Sequence, residues 1–112
     1  MLRASGFYWE GGGPPGRAYF FEPFAPGDVL RQSIWLDDLA DMQGLEVAIP
    51  FTAEAKGMIV AAGDWQLELT EFAAPNESGL RYCRFTIPPA ALEGNMVNWI
   101  TLRNEGQQTL QA

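Results

Sequence analysis

Zero histidines in a chain of 112 residues remove the commonest general acid–base and the commonest metal ligand. Neither a Ser/His triad nor a His-bearing zinc or cupin-type site can be built from this chain alone. The single cysteine, Cys83, has no partner for an internal disulfide and no base to activate it, so it reads as a core thiol on a strand. Carboxylates remain. Asp37, Asp38 and Asp41 form the densest acidic group, and Glu68 with Glu71 the next. Glycoside hydrolysis needs two carboxyls facing one another across a cleft, which neighbours in one loop do not provide. The acidic loop reads as a solvated connection in preference to a calcium site. No catalytic residue, no metal and no cofactor are expected, and an enzyme acting alone is the least favoured class.

The aromatic residues suit a different chemistry. Sugar recognition uses an aromatic surface for the apolar face of a pyranose and planar polar groups for its hydroxyls. Which rings are available depends on the strands that carry them. From Val29 to Asp37, Leu30, Gln32, Ile34 and Leu36 alternate with Arg31, Ser33, Trp35 and Asp37, which places Trp35 on the outward side. Leu45 to Phe51 alternates most cleanly, with Leu45, Val47, Ile49 and Phe51 inward. Met58 to Ala62, the Gly63-Asp64 turn and Trp65 to Phe72 predict a hairpin in which Trp65, Leu67 and Leu69 share the core side. Leu80 to Ile87 puts Phe85 and Ile87 inward and Tyr82, Arg84 and Thr86 outward. Val97 to Arg103 sends Ile100 and Leu102 inward and Trp99 outward. A further strand is expected over Arg17 to Phe24, closed by Pro23 and Pro26-Gly27, and a last stretch runs through Leu110.

Between these runs lie connections. Gly11-Gly12-Gly13-Pro14-Pro15-Gly16 can be neither helix nor sheet interior. As a phosphate cradle it fails, because no Lys-Ser/Thr follows and two prolines remove N–H donors, leaving a turn or flexible lid. Asp37 to Gly44 and Ala90 to Gly94 read as loops or single turns. Short strands spaced by turn signals, with 12 glycines and 8 prolines, predict one all-β domain over residues 1–112. Its expected form is an antiparallel β-sandwich, jelly-roll-like, of about seven to eight strands.

The run Phe85-Thr86-Ile87-Pro88-Pro89-Ala90-Ala91-Leu92-Glu93-Gly94, followed by Asn98-Trp99-Ile100-Thr101-Leu102-Arg103, resembles the galactose-binding-like, jelly-roll accessory domains of glycoside hydrolases. In that pattern the prolines end a strand, Leu92 plugs the end of the sandwich, Gly94 turns the chain, and Ile100 and Leu102 re-enter the core. The resemblance spans about Leu45 to Arg103. It departs in the longer spacing, with Asn95, Met96 and Val97 between Gly94 and Asn98, and in Ala62-Gly63-Asp64 standing where an Asn-Gly turn is usual. Members of this group serve as sugar-binding modules or as structural appendages, so the resemblance implies a fold and no single ligand.

Together these readings give a candidate carbohydrate-binding platform of Trp35, Tyr82 and Trp99, helped by Arg84, Asn98 and Asp37, with Tyr8 and Trp9 able to cap it. The alternative is that the same rings pack under the Gly11 to Gly16 loop, against a neighbouring catalytic domain, or in a homo-oligomer. A net charge of -7 and a pI near 4.3 repel phosphate backbones and anionic lipid, and no basic stripe opposes them. Nucleic acid and membrane are therefore not expected partners. No apolar run reaches the ~20 residues of a membrane helix, and no basic-then-apolar leader opens the chain, which leaves the compartment open.

Overall fold

The computed structural model describes residues 2–5, as backbone only, and residues 24–110. Strand β1 (Leu2–Ser5) is followed by β2 (Val29–Leu36), β3 (Leu45–Phe51), β4 (Met58–Ala62), β5 (Trp65–Glu68), β6 (Arg81–Ile87) and β7 (Met96–Asn104). The one helical piece among the described residues is a 3-10 turn over Pro89–Ala91. The strands form two open sheets, one ordered β1-β3-β6 and the other β2-β7-β4-β5. Every pairing within residues 24–110 is antiparallel, while β1 runs parallel to β3.

One hydrophobic cluster takes its residues from both sheets. Leu30, Leu36, Met58, Val60, Ile100 and Leu102 enter from the four-stranded sheet, and Leu45, Val47, Ile49, Phe51, Cys83 and Ile87 from the other. Outside β4, an apolar run without alternation, these belong to the inward sets read from the sequence, since a pleated strand sends every second side chain to one face. Leu67, expected on the core side with Trp65 and Leu69, is instead exposed on the edge strand β5. Trp65 is half-buried and packs against this cluster, with its ring stacked on Phe85 of the other sheet at 6.3 Å between centroids.

Six strands, β2 to β7, lie between 24 and 110, fewer than the seven to eight expected. Two expected strands account for the difference. Arg17 to Phe24 falls almost entirely outside the described residues, as do Tyr8, Trp9 and the Gly11 to Gly16 loop. The stretch through Leu110 contributes a single antiparallel bridge, in which Phe24 N donates to Leu110 O at 2.7 Å and Leu110 N to Phe24 O at 3.0 Å. The strand expected over Trp65 to Phe72 stops at Glu68. It pairs only with β4, and after Leu69 N donates to Met58 O at 2.9 Å that strand has no further residues to offer.

Beyond β6 the chain follows the expected outline with one change. Leu92 is buried in the core. The left-handed residue of the following turn is Asn95, at φ 56°, whereas Gly94 is packed tightly against the Asp37 carbonyl. Asparagine tolerates that conformation better than most side chains.

Candidate functional site

Strands β2 and β7 lie side by side with Ser33 opposite Trp99 and Trp35 opposite Val97. The alternation that buries Leu30, Leu36, Ile100 and Leu102 therefore turns Val29, Arg31, Ser33, Trp35, Val97, Trp99, Thr101 and Arg103 outward. Trp35 and Trp99 keep 58% and 47% of their surface exposed, so both rings are available to a partner. As diagonal neighbours on adjacent strands their backbones stand ~7–8 Å apart, within reach of each other's side chains.

Both indoles are held by polar neighbours. Trp35 Nε1 donates to Asp37 Oδ1 at 2.9 Å, satisfying the one polar atom of the ring and leaving its faces for apolar contact. The Arg31 guanidinium lies 4.4 Å from the centre of the Trp99 ring, where the negative face of the π-system attracts a cation. Val29 and Val97, both exposed, extend the apolar area along the two strands. Such a surface can stack against a flat apolar partner and offer hydrogen bonds at its edges.

The remaining candidates are elsewhere. Tyr82 and Arg84 are on the outer face of β6, in the other sheet, with the Arg84 guanidinium 5.2 Å from the Tyr82 ring centre. The core separates them from the two tryptophans. Asn98 points inward from β7 and is buried. Its Oδ1 accepts from Glu93 N at 2.8 Å, and its Nδ2 donates to Glu93 O at 2.8 Å and to Met96 O at 3.2 Å. It secures the turn before β7. The structure thus brings together Trp35, Trp99 and Asp37, and it adds Arg31, which alternation had placed on the same side without giving it a role.

A second feature was not visible in the sequence. Three loops, 54–57, 68–72 and 105–108, enclose a cleft of about 860 Å3 with Ala55, Leu69 and Phe72 in its lining. Gly57 and Gly106 cross so closely there that a Cβ on either would collide with the backbone of the other loop. Asn104, fully buried, fixes the third loop. Its Nδ2 donates to Phe24 O at 3.0 Å and to Gln108 O at 2.8 Å, and its Oδ1 accepts from Gly106 N at 3.0 Å. The rim carboxylates lie near arginines, Glu105 with Arg103 at 2.7 Å and Glu54 with Arg81 at 3.9 Å.

Groups with catalytic types are occupied otherwise. Burial pushes the Cys83 thiol up to about 12, so it stays protonated near neutral pH. Asp38 Oδ1 accepts from Ala40 N at 3.0 Å within its own loop. Among the described residues no three Cys, Asp or Glu side chains gather closely enough to hold a metal ion.

No family model, curated protein or solved structure matches this chain. A functional reading rests on the geometry above.

Proposed function

We propose that this chain is a non-catalytic β-sandwich module, jelly-roll-like and galactose-binding-like in type, that accompanies a carbohydrate-active enzyme and acts by contact through the outer face of β2 and β7. The pair of exposed indoles on adjacent strands, Trp35 and Trp99, carries the reading. The sandwich form is supported by one core fed from two sheets and by the Trp65–Phe85 stack between them. Absence of histidine and the protonated, buried Cys83 support a role without catalysis.

Two occupants suit such a face. Packing against protein, whether a neighbouring domain or another copy, is favoured by Val29 and Val97, which widen the apolar area beyond the two rings. Carbohydrate is favoured by the Trp35–Asp37 bond, which holds a hydroxyl-accepting carboxylate beside an open ring face. Glycan-array capture and sedimentation of the intact chain, each repeated with Trp35→Ala and Trp99→Ala, separate them. Loss of glycan capture in the variants supports the sugar reading, and loss of association supports packing. If neither property changes in either variant, the face is not the contact surface.

A further inference from the structure

Resting on that reading of the β2–β7 face, we infer that its occupant is a second copy of this chain, related by a two-fold axis above the Ser33–Trp99 row. Charge narrows the choice. The chain carries -7 overall, so most of its surface repels a copy of itself. The outer face of the four-stranded sheet carries Arg31 and Arg103 against Asp37 and Glu68, with Glu105 paired to Arg103 at its end, so it is close to even in charge, and it carries the two exposed indoles. Two copies meet on it at little electrostatic cost, and the exposed indoles distinguish it from the outer face of β3 and β6.

The residues also complement themselves. In a two-fold interface, whatever one copy offers must match what the same surface accepts. Rotation about an axis parallel to the sheet and perpendicular to its strands lays β2 against the second copy's β2, running in opposite directions. Ser33 and Trp99, which are opposite each other in the ladder, then meet their own counterparts. Residues equidistant from Ser33 exchange places, so Arg31 of one copy faces Trp35 of the other. Beside that indole is the Asp37 carboxylate, already hydrogen-bonded to Trp35 Nε1 at 2.9 Å. An aromatic face and a carboxylate on one side form a receptor for a guanidinium. Two such Arg31 to Trp35–Asp37 contacts, placed symmetrically, flank a central pair of Trp99 rings.

The footprint sets the strength. Strand spacing of ~4.8 Å and a rise of ~3.3 Å per residue give a face on the order of 400 Å2 per copy. That is below the ~800 Å2 per partner of a standard stable interface, so the dimer is reversible and depends on concentration.

Sedimentation equilibrium of the intact chain over a concentration series tests this. A monomer–dimer equilibrium is expected, abolished by Trp99→Ala and weakened at least tenfold by Arg31→Glu or by Asp37→Arg. Mixing the Arg31→Glu and Asp37→Arg chains is expected to restore a dimer containing one of each, because both cross-contacts then pair opposite charges. Of the four positions, Ser33, Asp37 and Trp99 are exposed and Arg31 is half-buried, and near-ultraviolet circular dichroism identifies any variant that fails to fold. Ser33→Cys provides an independent measurement: a short bismaleimide should link two copies through it, the buried Cys83 staying unreacted. A chain that remains monomeric up to about 1 mM, the weak end of specific association, overturns the second copy while leaving glycan capture at this face intact as a separate result. Dimerisation that survives Trp99→Ala and both charge reversals overturns the second copy at this face and removes the packing argument for the face as well.

Discussion

Arg31 stands with its guanidinium 4.4 Å from the ring centre of Trp99, a residue on the neighbouring strand and two positions from Thr101, its direct cross-strand partner. This contact joins the edge strand β2 to the central strand β7 on the outside of the sheet, where hydrogen bonds alone hold the backbone. Exposed cation–π pairs contribute about 0.5–1 kcal/mol. Trp99→Ala is therefore expected to lower unfolding stability in urea by about 1 kcal/mol or less, while removing contact through the face. A loss of several kcal/mol in the urea titration would mean that Trp99 is a core residue.

Asn104 and Asn98 have the same side chain and the same three-bond pattern, but they tie different lengths of chain. Asn98 bonds within its own turn, whereas Asn104 reaches Phe24, eighty positions away. Removing Asn104 leaves the Phe24 and Gln108 carbonyls and the Gly106 amide without this partner. At about 1 kcal/mol per bond, Asn104→Ala should cost about 3 kcal/mol and lower the melting temperature by more than ten degrees. Asn98→Ala should show a smaller loss, with amide exchange rising mainly over 93–96. Equal melting temperatures for the two variants would contradict this account.

Cys83 gives the chain an alkaline limit. Its folded-state pKa, raised from 9.0 to about 12 by desolvation, means that the native state holds the thiol proton where the unfolded chain has released it. Folding stability is unaffected by this group below about pH 9 and declines as pH rises from 9 towards 12. Cys83→Val should flatten that decline in thermal unfolding measured between these limits. The native thiol should also react slowly with a disulfide reagent at pH 8 and rapidly in urea. Fast labelling of the folded chain would show that the thiol is exposed.

Gly106 is where two loops touch. A Cβ there meets the Lys56 carbonyl oxygen, which is backbone and cannot swing aside. Overpacking of this kind costs about 1–3 kcal/mol, and Gly106→Ala should show it in urea titration. The same variant should speed amide exchange at Glu105, whose N–H donates to Gly57 O at 2.8 Å. An unchanged exchange rate at Glu105 would place the two loops farther apart.

The inward sets were legible because burial has one period in a strand. Leu45, Val47, Ile49 and Phe51 are all buried as it requires, although Pro50 between the last two is buried as well, and Trp35 and Trp99 face outward by the same rule. What the rule does not carry is which sheet a strand joins. Tyr82 has the same outward parity as Trp99, yet β6 pairs with β3 and β7 pairs with β2 and β4, so the two rings are in different sheets. The amide of Asn98 suits a sugar platform, but its parity with Ile100 and Leu102 points it inward, where it is buried. The cleft joins loops about fifty positions apart in sequence, and its glycine crossing leaves no local pattern beyond two glycines. Strand endings were set by partner length, as at Glu68, a property of the neighbouring chain segment.

The bridge between Phe24 and Leu110 brings two residues distant in sequence side by side, in antiparallel sense. Tension applied outward at Phe24 and Leu110 would act across its two hydrogen bonds one after the other, in an unzipping geometry. This is the weaker way to load a β-ladder, so the corner held by Asn104 should open first while the rest of the sheets remains paired.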